Sequence, residues 1–147
     1  MSRLADITVA IQEWIVAALT NDAVADALGV TTEDVPTRLW DSPPSGNEAL
    51  PYIDITVAPG RDVGGVGMAE VMATAEATVK VVDRAESYDG LRPVVTAIHA
   101  SLHGKINVPV EGGWMLSSRR IRTVAYPEVS QGIEYRHLGG TYQVNAQ

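Results

Sequence analysis

The chain has 147 residues, of which 18 are acidic and 11 are basic, so its formal net charge is −7. This length predicts one domain, residues 1–147, with a core large enough to fold without a metal or a disulfide. Cysteine is absent, which excludes disulfides, thiolate metal sites and thiol catalysis, and no apolar run is long enough to span a membrane.

The N-terminal part of the sequence predicts mostly helical structure. Apolar side chains recur at steps of three and four over residues 4–19, which places them on one face of a helix. Asn21 and Asp22 either end this helix or cap a second, short helix, for which Gly29 is the expected stop. Residues 31–36 can form one further turn, and residues 38–40 are a short strand candidate. We therefore expect helices first and the sheet after them.

Two loops and two strands are expected in the middle of the chain. Residues 41–48 are rich in proline, glycine and polar side chains, which predicts a loop. Residues 52–57 alternate between apolar and polar side chains, as a half-buried strand does. A second loop, with four glycines, is expected over residues 59–67. Residues 69–82 are the clearest strand, because alanine and valine alternate there with polar residues.

A second helix and two strands complete the pattern. The helix covers residues 87–102, and the strands cover 114–126 and 133–144, joined as a hairpin through 127–132. Gly139–Gly140 predicts a bulge in the last strand. The element order predicts an α+β fold in which a mainly antiparallel sheet of about four to five strands carries the N-terminal helix and one central helix on one face.

Two histidines on the central helix are the first candidates for chemistry. His99 and His103 lie four residues apart, so their side chains can meet as paired metal ligands do. A third ligand cannot be placed from Glu13, Asp83 or Glu86, and the pair encloses no acid that could act as a base. We interpret both histidines as polar residues of the solvent face and expect no metal.

Other catalytic or cofactor signatures are incomplete. The glycines of residues 64–67 lead into a strand and lack the lysine and hydroxyl residue of a phosphate-binding loop. Ser117, Ser118 and Thr123 have no nearby histidine and acid to activate them. We therefore expect a protein that is not an enzyme and that uses no cofactor.

Three arginines oppose the acidic balance of the chain. Arg119, Arg120 and Arg122 lie on one predicted strand, where Arg120 and Arg122 share a face and Arg119 takes the other. The cluster has no interleaved aromatic residues, which argues against a nucleic-acid site. We interpret the arginines as partners for carboxylates of a neighbouring strand or subunit. The candidate partners are Glu70, Glu76 and Glu134.

Several stretches carry a resemblance to a known family. They are residues 17–28, 50–55, 79–84, 97–104, the arginine strand 119–122 and residues 134–138. Among them are the sequence LPY before a strand and the sequence LHG at the end of a helix. In this order and spacing, the chain resembles the tail terminator proteins of long-tailed bacteriophages, also called tail completion or head-to-tail joining proteins.

The resemblance implies structural work in the virion. Such proteins form a hexameric ring on the end of the tail tube, stop tube polymerisation and offer the surface that joins the tail to the neck of the head. The implied partners are further copies of the chain, the major tail tube protein and a neck or head-completion protein. DNA would only pass through the lumen, and no membrane, cofactor or reaction is involved. The implied location is the tail–neck junction, after assembly in the host cytoplasm.

Ring assembly requires a seam that repeats between neighbouring subunits. The apolar anchors of that seam are expected to be Trp40, Met72, Tyr126 and Tyr135. The three arginines are expected to be its charge partners. The segments expected to meet the tube or the neck are the loop 41–49 and the loop 59–68 with Arg61 and Asp62. Trp14 and Trp114 are assigned to the core.

Other functions remain as alternatives. A neck or head-closure connector or a tail tube subunit would also be a virion component, and a tube subunit would polymerise beyond one ring. A small metal-dependent enzyme or ligand-binding domain would use His99, His103 and a carboxylate, and a bound metal in the purified protein would favour it. A nucleic-acid module would bind DNA through the arginines in a salt-sensitive way.

Overall fold

Three α-helices and six strands make up the computed structural model, which describes residues 3–41, 49–64, 70–110 and 113–147. The α-helices are α1 (Arg3–Leu19), α2 (Asp22–Leu28) and α3 (Arg92–Leu102). The strands are β1 (Leu39–Trp40), β2 (Tyr52–Gly64), β3 (Glu70–Arg84), β4 (Lys105–Val110), β5 (Gly113–Ser130) and β6 (Ile133–Ala146). Short 3-10 helices cover Thr32–Arg38 and Asp89–Leu91. Side chains are described throughout these ranges except at residues 3–7, 59–64 and 70–72.

The strands form one mixed sheet in the order β1-β2-β3-β6-β5-β4. β1 pairs with β2 in parallel, and the other neighbouring strands pair antiparallel. The α+β class agrees with the prediction, but the sheet has six strands and is mixed. The sequence does not predict β4, because Pro109 and Asn107, which has a φ of 51°, are poor strand formers. Pairing with β5 holds that segment extended.

The helices follow local signals in the sequence. The backbone N–H of Val24 donates to Oδ1 of Asn21 at 3.0 Å, and Gly29 ends α2 with a φ of 76°. Both predicted helix boundaries are therefore confirmed. α3 begins at Arg92, later than expected, so Pro93 lies in the first turn, where its missing N–H breaks no helical hydrogen bond. Among the described helices, none is both long and apolar enough to cross a membrane.

β2 and β3 are longer than the sequence predicts. β2 continues to Gly64, so residues 59–64 of the expected glycine-rich loop are strand backbone paired with β3. Glycine and proline disfavour a strand by themselves, and here the antiparallel partner supplies the pairing that local propensity lacks. Residues 42–48 and 65–68 of the two expected loops lie outside the described residues. The alternation of β3 is confirmed by the burial of Ala73, Ala75, Ala77, Val79 and Val81.

One apolar core lies between the helices and one face of the sheet. α1 packs mainly against β2, α3 packs against β3 and β6, and α2 packs on α3. The large buried side chains include Ile11, Ile15, Leu19, Ile55, Ile98, Leu102 and Tyr142. Burial of each aliphatic side chain stabilises the fold by about 1.5–3 kcal/mol. The opposite face of the sheet, which we call the outer face, carries Thr74, Glu76, Thr78 and Lys80 of β3 and the residues aligned with them.

The β5–β6 hairpin and the tryptophans refine the prediction. The hairpin turn is tighter than residues 127–132, because Gln131 and Gly132 alone turn the chain, with φ values of 52° and 78°. Trp14 packs, partly buried, against the core as expected. Trp114 was expected in the core and is instead 50% exposed. Successive side chains of a strand point to opposite faces, so the buried position goes to Met115 and Trp114 lies on the outer face.

Candidate functional site

A bulge in β5 decides where the three arginines point. Arg120 and Arg122 face consecutive residues of β6, which leaves Ile121 as an extra residue in β5. The extra residue reverses the alternation, so Arg119 and Arg122 share the outer face and Arg120 lies on the helix side. The predicted arrangement, with Arg120 and Arg122 on one face, is therefore wrong.

The outer arginines contact polar residues of β6, the neighbouring strand, and of β3, the strand beyond it. Arg122 forms an ion pair with Glu76 at 3.4 Å, as predicted, and the two side chains are 57% and 43% exposed. Arg119 donates from Nη2 to Oε1 of Gln143 at 3.3 Å. Exposed pairs of this kind contribute at most about 1 kcal/mol, because water screens the charges. These arginines therefore remain available to an additional partner.

Glu134 is the one further candidate partner of the arginines whose side chain the structure describes. Glu134 pairs with Arg136 at 2.7 Å instead. The side chain of Glu70 lies outside the described part of the structure. The same holds for the side chains of Arg61, Asp62 and Met72, whose backbone belongs to β2 and β3.

Gly139 and Gly140 allow close packing on both sides of β6. A Cβ atom at Gly139 would lie 2.1 Å from the carbonyl oxygen of Val79. At Gly140 it would lie 2.5 Å from Cδ of Arg120, so the arginine stem crosses the strand there. The bulge predicted at these glycines lies instead on the neighbouring strand, at Ile121.

A polar cluster crosses the outer face from β2 to β5. Nζ of Lys80 lies 3.7 Å from Oδ2 of Asp54, donates to the hydroxyl of Tyr126 and lies 4.9 Å from that ring's centroid. The Tyr126 ring stacks on His137 with 4.3 Å between centroids, and Nε2 of His137 is 2.7 Å from Oε2 of Glu128. The cluster thus links side chains of β2, β3, β6 and β5.

The surroundings of His137 in this cluster favour its neutral form. Burial is the main cause that lowers the pKa of His137 below its usual value, and the charge of Lys80 acts in the same direction. The hydrogen bond to Glu128 opposes both effects. In the neutral ring, Nε2–H donates to Glu128, and Nδ1 is buried without a hydrogen-bond partner among the described residues.

The described aromatic residues predicted as seam anchors lie in two places. Tyr126 is 37% exposed, and half-buried Tyr135 lies on the same outer face, near the hairpin turn. Trp40 is half-buried at the opposite edge of the sheet, in a cavity that it shares with Gln12 of α1 and Ile55 of β2. A seam that used all three would therefore have to join two different surfaces of the chain.

Several exposed apolar side chains were not predicted as contact residues. They are Val9 (57% exposed), Ile106 (67%), Trp114 (50%), Ile121 (38%) and Val129 (70%). The exposure of Val9 could have been predicted from the sequence, because Val9 lies outside the apolar face of α1. The exposure of Ile121 follows from the bulge, which no local pattern predicts. These side chains enlarge the set of candidate contact residues.

The two histidines of α3 stack on each other. Their ring centroids are 4.5 Å apart with an interplanar angle of 24°. Nδ1 of His99 is 3.2 Å from the hydroxyl of Tyr142, and Nδ1 of His103 accepts the backbone N–H of Arg120 at 3.0 Å. Burial, then the charges of Arg120 and His103, lower the pKa of His99, and burial raises the pKa of Tyr142 to about 12. Within the described ranges, no three His, Asp or Glu side chains are grouped as a metal site requires.

Comparison with known proteins identifies the fold. No family model matches the chain, and no curated protein matches it. A chain in the solved virion of a native gene transfer agent (GTA) particle is 19% identical, with 99% of this chain and 98% of that chain covered and a TM-score of 0.70. A second solved chain, which carries no descriptive name, is 14% identical, with coverages of 92% and 95% and a TM-score of 0.56. The chain thus shares its fold, over nearly its whole length, with a chain of that GTA virion.

Proposed function

We propose that the chain is a structural protein of a phage-like virion. The observation that carries this proposal is the likeness to a chain of the GTA virion, which covers 99% of this chain at a TM-score of 0.70. Coverage of 98% of that other chain means that the two share one complete architecture rather than a common fragment. A role in particle assembly uses surfaces instead of a catalytic constellation, which agrees with the sequence analysis.

Within the virion, we assign the chain to the end of the tail. It caps the tail tube as a hexameric ring, stops tube polymerisation and presents the surface that joins the neck. The order of the sequence stretches that resemble tail terminators supports this role. The role requires no cofactor and no chemical step, and it places the protein at the tail–neck junction.

The two ends of the sheet suit a repeating contact. Among the described strands, β1 covers β2 only at Ile53 and Asp54, and β4 covers β5 only as far as Ser118. Among the described residues, no strand pairs with this side of β2 beyond Asp54 or with this side of β5 beyond Arg120, whose backbone N–H donates to His103, so another chain can bind to these edges. Because the two edges differ, a contact between them is heterologous, and a heterologous contact that closes by rotation produces a ring.

The test is the mass of the purified protein in solution, measured by light scattering alone and with cognate tail tubes, followed by imaging of the tubes. We expect a closed ring, or one additional ring on tubes that then stop growing. Tubes incubated without the protein control for spontaneous arrest. Polymerisation beyond one ring would instead identify a tube subunit, and a protein that neither caps tubes nor alters their length contradicts the proposal.

A further inference from the structure

An apolar groove with an acidic rim lies beside the β1–β2 edge of the sheet. It has a volume of about 510 Å³ and is lined by Val9, Gln12, Glu13, Val16, Ala17 and Asp41. Val9 is 57% exposed there, and Gln12, Val16 and Asp41 also line the smaller cavity that contains Trp40. We call this feature the α1 groove. Its apolar lining favours an apolar side chain, and its two carboxylates favour a basic one.

The groove is lined by two carboxylates, Glu13 and Asp41, and belongs to an acidic part of the chain. Residues 1–41 contain seven acidic and two basic side chains. Asp41 accepts a hydrogen bond from Nε2 of Gln12 at 3.2 Å. Because glutamine is uncharged, this contact does not neutralise the carboxylate. A ligand that binds there should therefore combine an apolar contact with positive charge.

A segment with those properties lies at the other edge of the same sheet. The bulge exposes 38% of Ile121, and Arg119 and Arg122 flank it on the outer face. We call residues 119–122 the basic edge. Residues 105–147 contain five basic and three acidic side chains, so this end of the chain has the opposite charge.

The two features cannot meet within one chain. The strand order β1-β2-β3-β6-β5-β4 places three strands between β1 and β5, and strands are spaced about 4.8 Å apart. They can meet between two copies, because each copy carries one groove and one basic edge on different sides. We infer that the basic edge of one copy docks in the α1 groove of the next, an inference that rests on the proposed ring.

The seam has a defined chemistry. Ile121 contacts the apolar lining near Val9, while Arg119 and Arg122 face the rim carboxylates of Glu13 and Asp41. The bulge also interrupts regular pairing along this edge of β5, where the backbone N–H of Arg120 already donates to His103. Both features discourage unspecific strand addition and favour one partner surface. Since exposed charges form part of the contact, association weakens as the salt concentration rises.

Cysteine cross-linking tests the seam directly, because the natural chain contains no cysteine. Val9→Cys and Ile121→Cys are made in separate chains, mixed and oxidised. We expect disulfide-linked heterodimers and few homodimers of either variant. Val129→Cys is the matched control for Ile121→Cys, since it is 70% exposed on the same strand but lies eight positions away. Cross-linking of Val9→Cys with the control at the same yield overturns the inference.

Charge reversal provides a second test. The chain with Arg119→Glu and Arg122→Glu, and the chain with Glu13→Arg and Asp41→Arg, should each associate about tenfold more weakly than the wild type. One chain carrying all four substitutions should recover association, because the complementarity is restored. Arg92→Glu, on an exposed residue of α3, is the control and should assemble normally.

The outcomes separate this inference from the proposed function. Rings that cap tubes but do not form the Val9–Ile121 cross-link overturn the seam and leave the tail-terminator role intact. A wild-type protein that stays monomeric with and without tubes contradicts both. Circular dichroism spectra confirm that each variant is folded, and the cysteine variants test the seam even where a charge-reversed chain does not fold.

Discussion

The two faces of the sheet are built by different physical rules. The helix-covered face is apolar and tightly packed, with small alanines on β3 below the helices. The outer face is a set of cross-strand polar contacts, including the cluster that runs from Asp54 through Lys80 to His137. Burial stabilises the first face, whereas pairing geometry organises the second. Stability and contact surfaces are thus separated in this chain.

This separation explains why exposed edge residues can serve assembly. Ile106, Ile121 and Val129 are exposed apolar side chains on or beside the open edges, away from the buried cluster. Substitutions there change the surface with little effect on the core, whereas substitutions under α3 change the fold itself. Four predictions, in order of decreasing effect, test that contrast.

Truncation of the core should have the largest effect. Leu102 of α3 has no exposed surface, so Leu102→Ala should lower the free energy of unfolding by about 2–5 kcal/mol, as methylene deletion in a packed core does. Ile106→Ala is the control, because Ile106 is 67% exposed and its change should stay within about 0.5 kcal/mol. Urea denaturation measures both. Similar losses for the two variants would contradict the separation of the faces.

Overpacking between strands should have the next largest effect. In Gly139→Ala, the new Cβ would lie 2.1 Å from the carbonyl oxygen of Val79 and 2.5 Å from Cα of Lys80, and backbone atoms cannot turn aside. We expect a loss of about 3 kcal/mol in the free energy of unfolding. Gly90→Ala, where no atom lies within 4 Å of the added Cβ, is the control. An unchanged urea midpoint for Gly139→Ala would refute the close approach of β3 and β6.

The outer-face cluster should make stability depend on pH. The pKa of His137 is lower in the folded than in the unfolded chain, so the unfolded state takes up more protons as the pH falls below the ordinary value of 6.5. The stabilisation is therefore complete above pH 6.5 and is lost between that value and the lowered folded pKa. Thermal unfolding between pH 8 and pH 5 measures it. In His137→Gln, the midpoint should depend less on pH.

Glu128 provides a check on the cause. Its hydrogen bond raises the pKa of His137 against the effect of burial, so Glu128→Gln should lower that pKa further. Below pH 6.5, the loss of stability should then become larger than in the wild type. A smaller loss in Glu128→Gln would contradict the role of Glu128 in raising the pKa of His137.

The exposed ion pair should have the smallest effect. Arg122 and Glu76 lie 3.4 Å apart with both side chains about half exposed, so a double-mutant cycle with alanine should give a coupling of about 0–1 kcal/mol. Added salt should reduce that coupling further. A coupling that exceeds this range and resists salt would show that the outer face contributes to stability as the core does.

Local patterns predicted the parts of the fold that depend on near neighbours. The apolar period of α1, the Asn21 cap, the Gly29 stop and the alternation of β3 all act within a few residues, so the sequence contains the whole signal. The positions of the candidate contact residues depended more on how the strands pair. Arg122 meets Glu76 as expected, yet the predicted faces of Arg119 and Arg120 are reversed.

The sequence alone determined the α+β class, the main helices and the long central strand, because the periodicities of helices and strands are local. The absence of cysteine also showed that an apolar core, and no disulfide, stabilises the fold. Tertiary structure decided β4, the extension of β2 and the bulge at Ile121, because strand ends and register are set by the partner strand. It also exposed Trp114 and formed the α1 groove, since a surface exists only once distant segments have packed together.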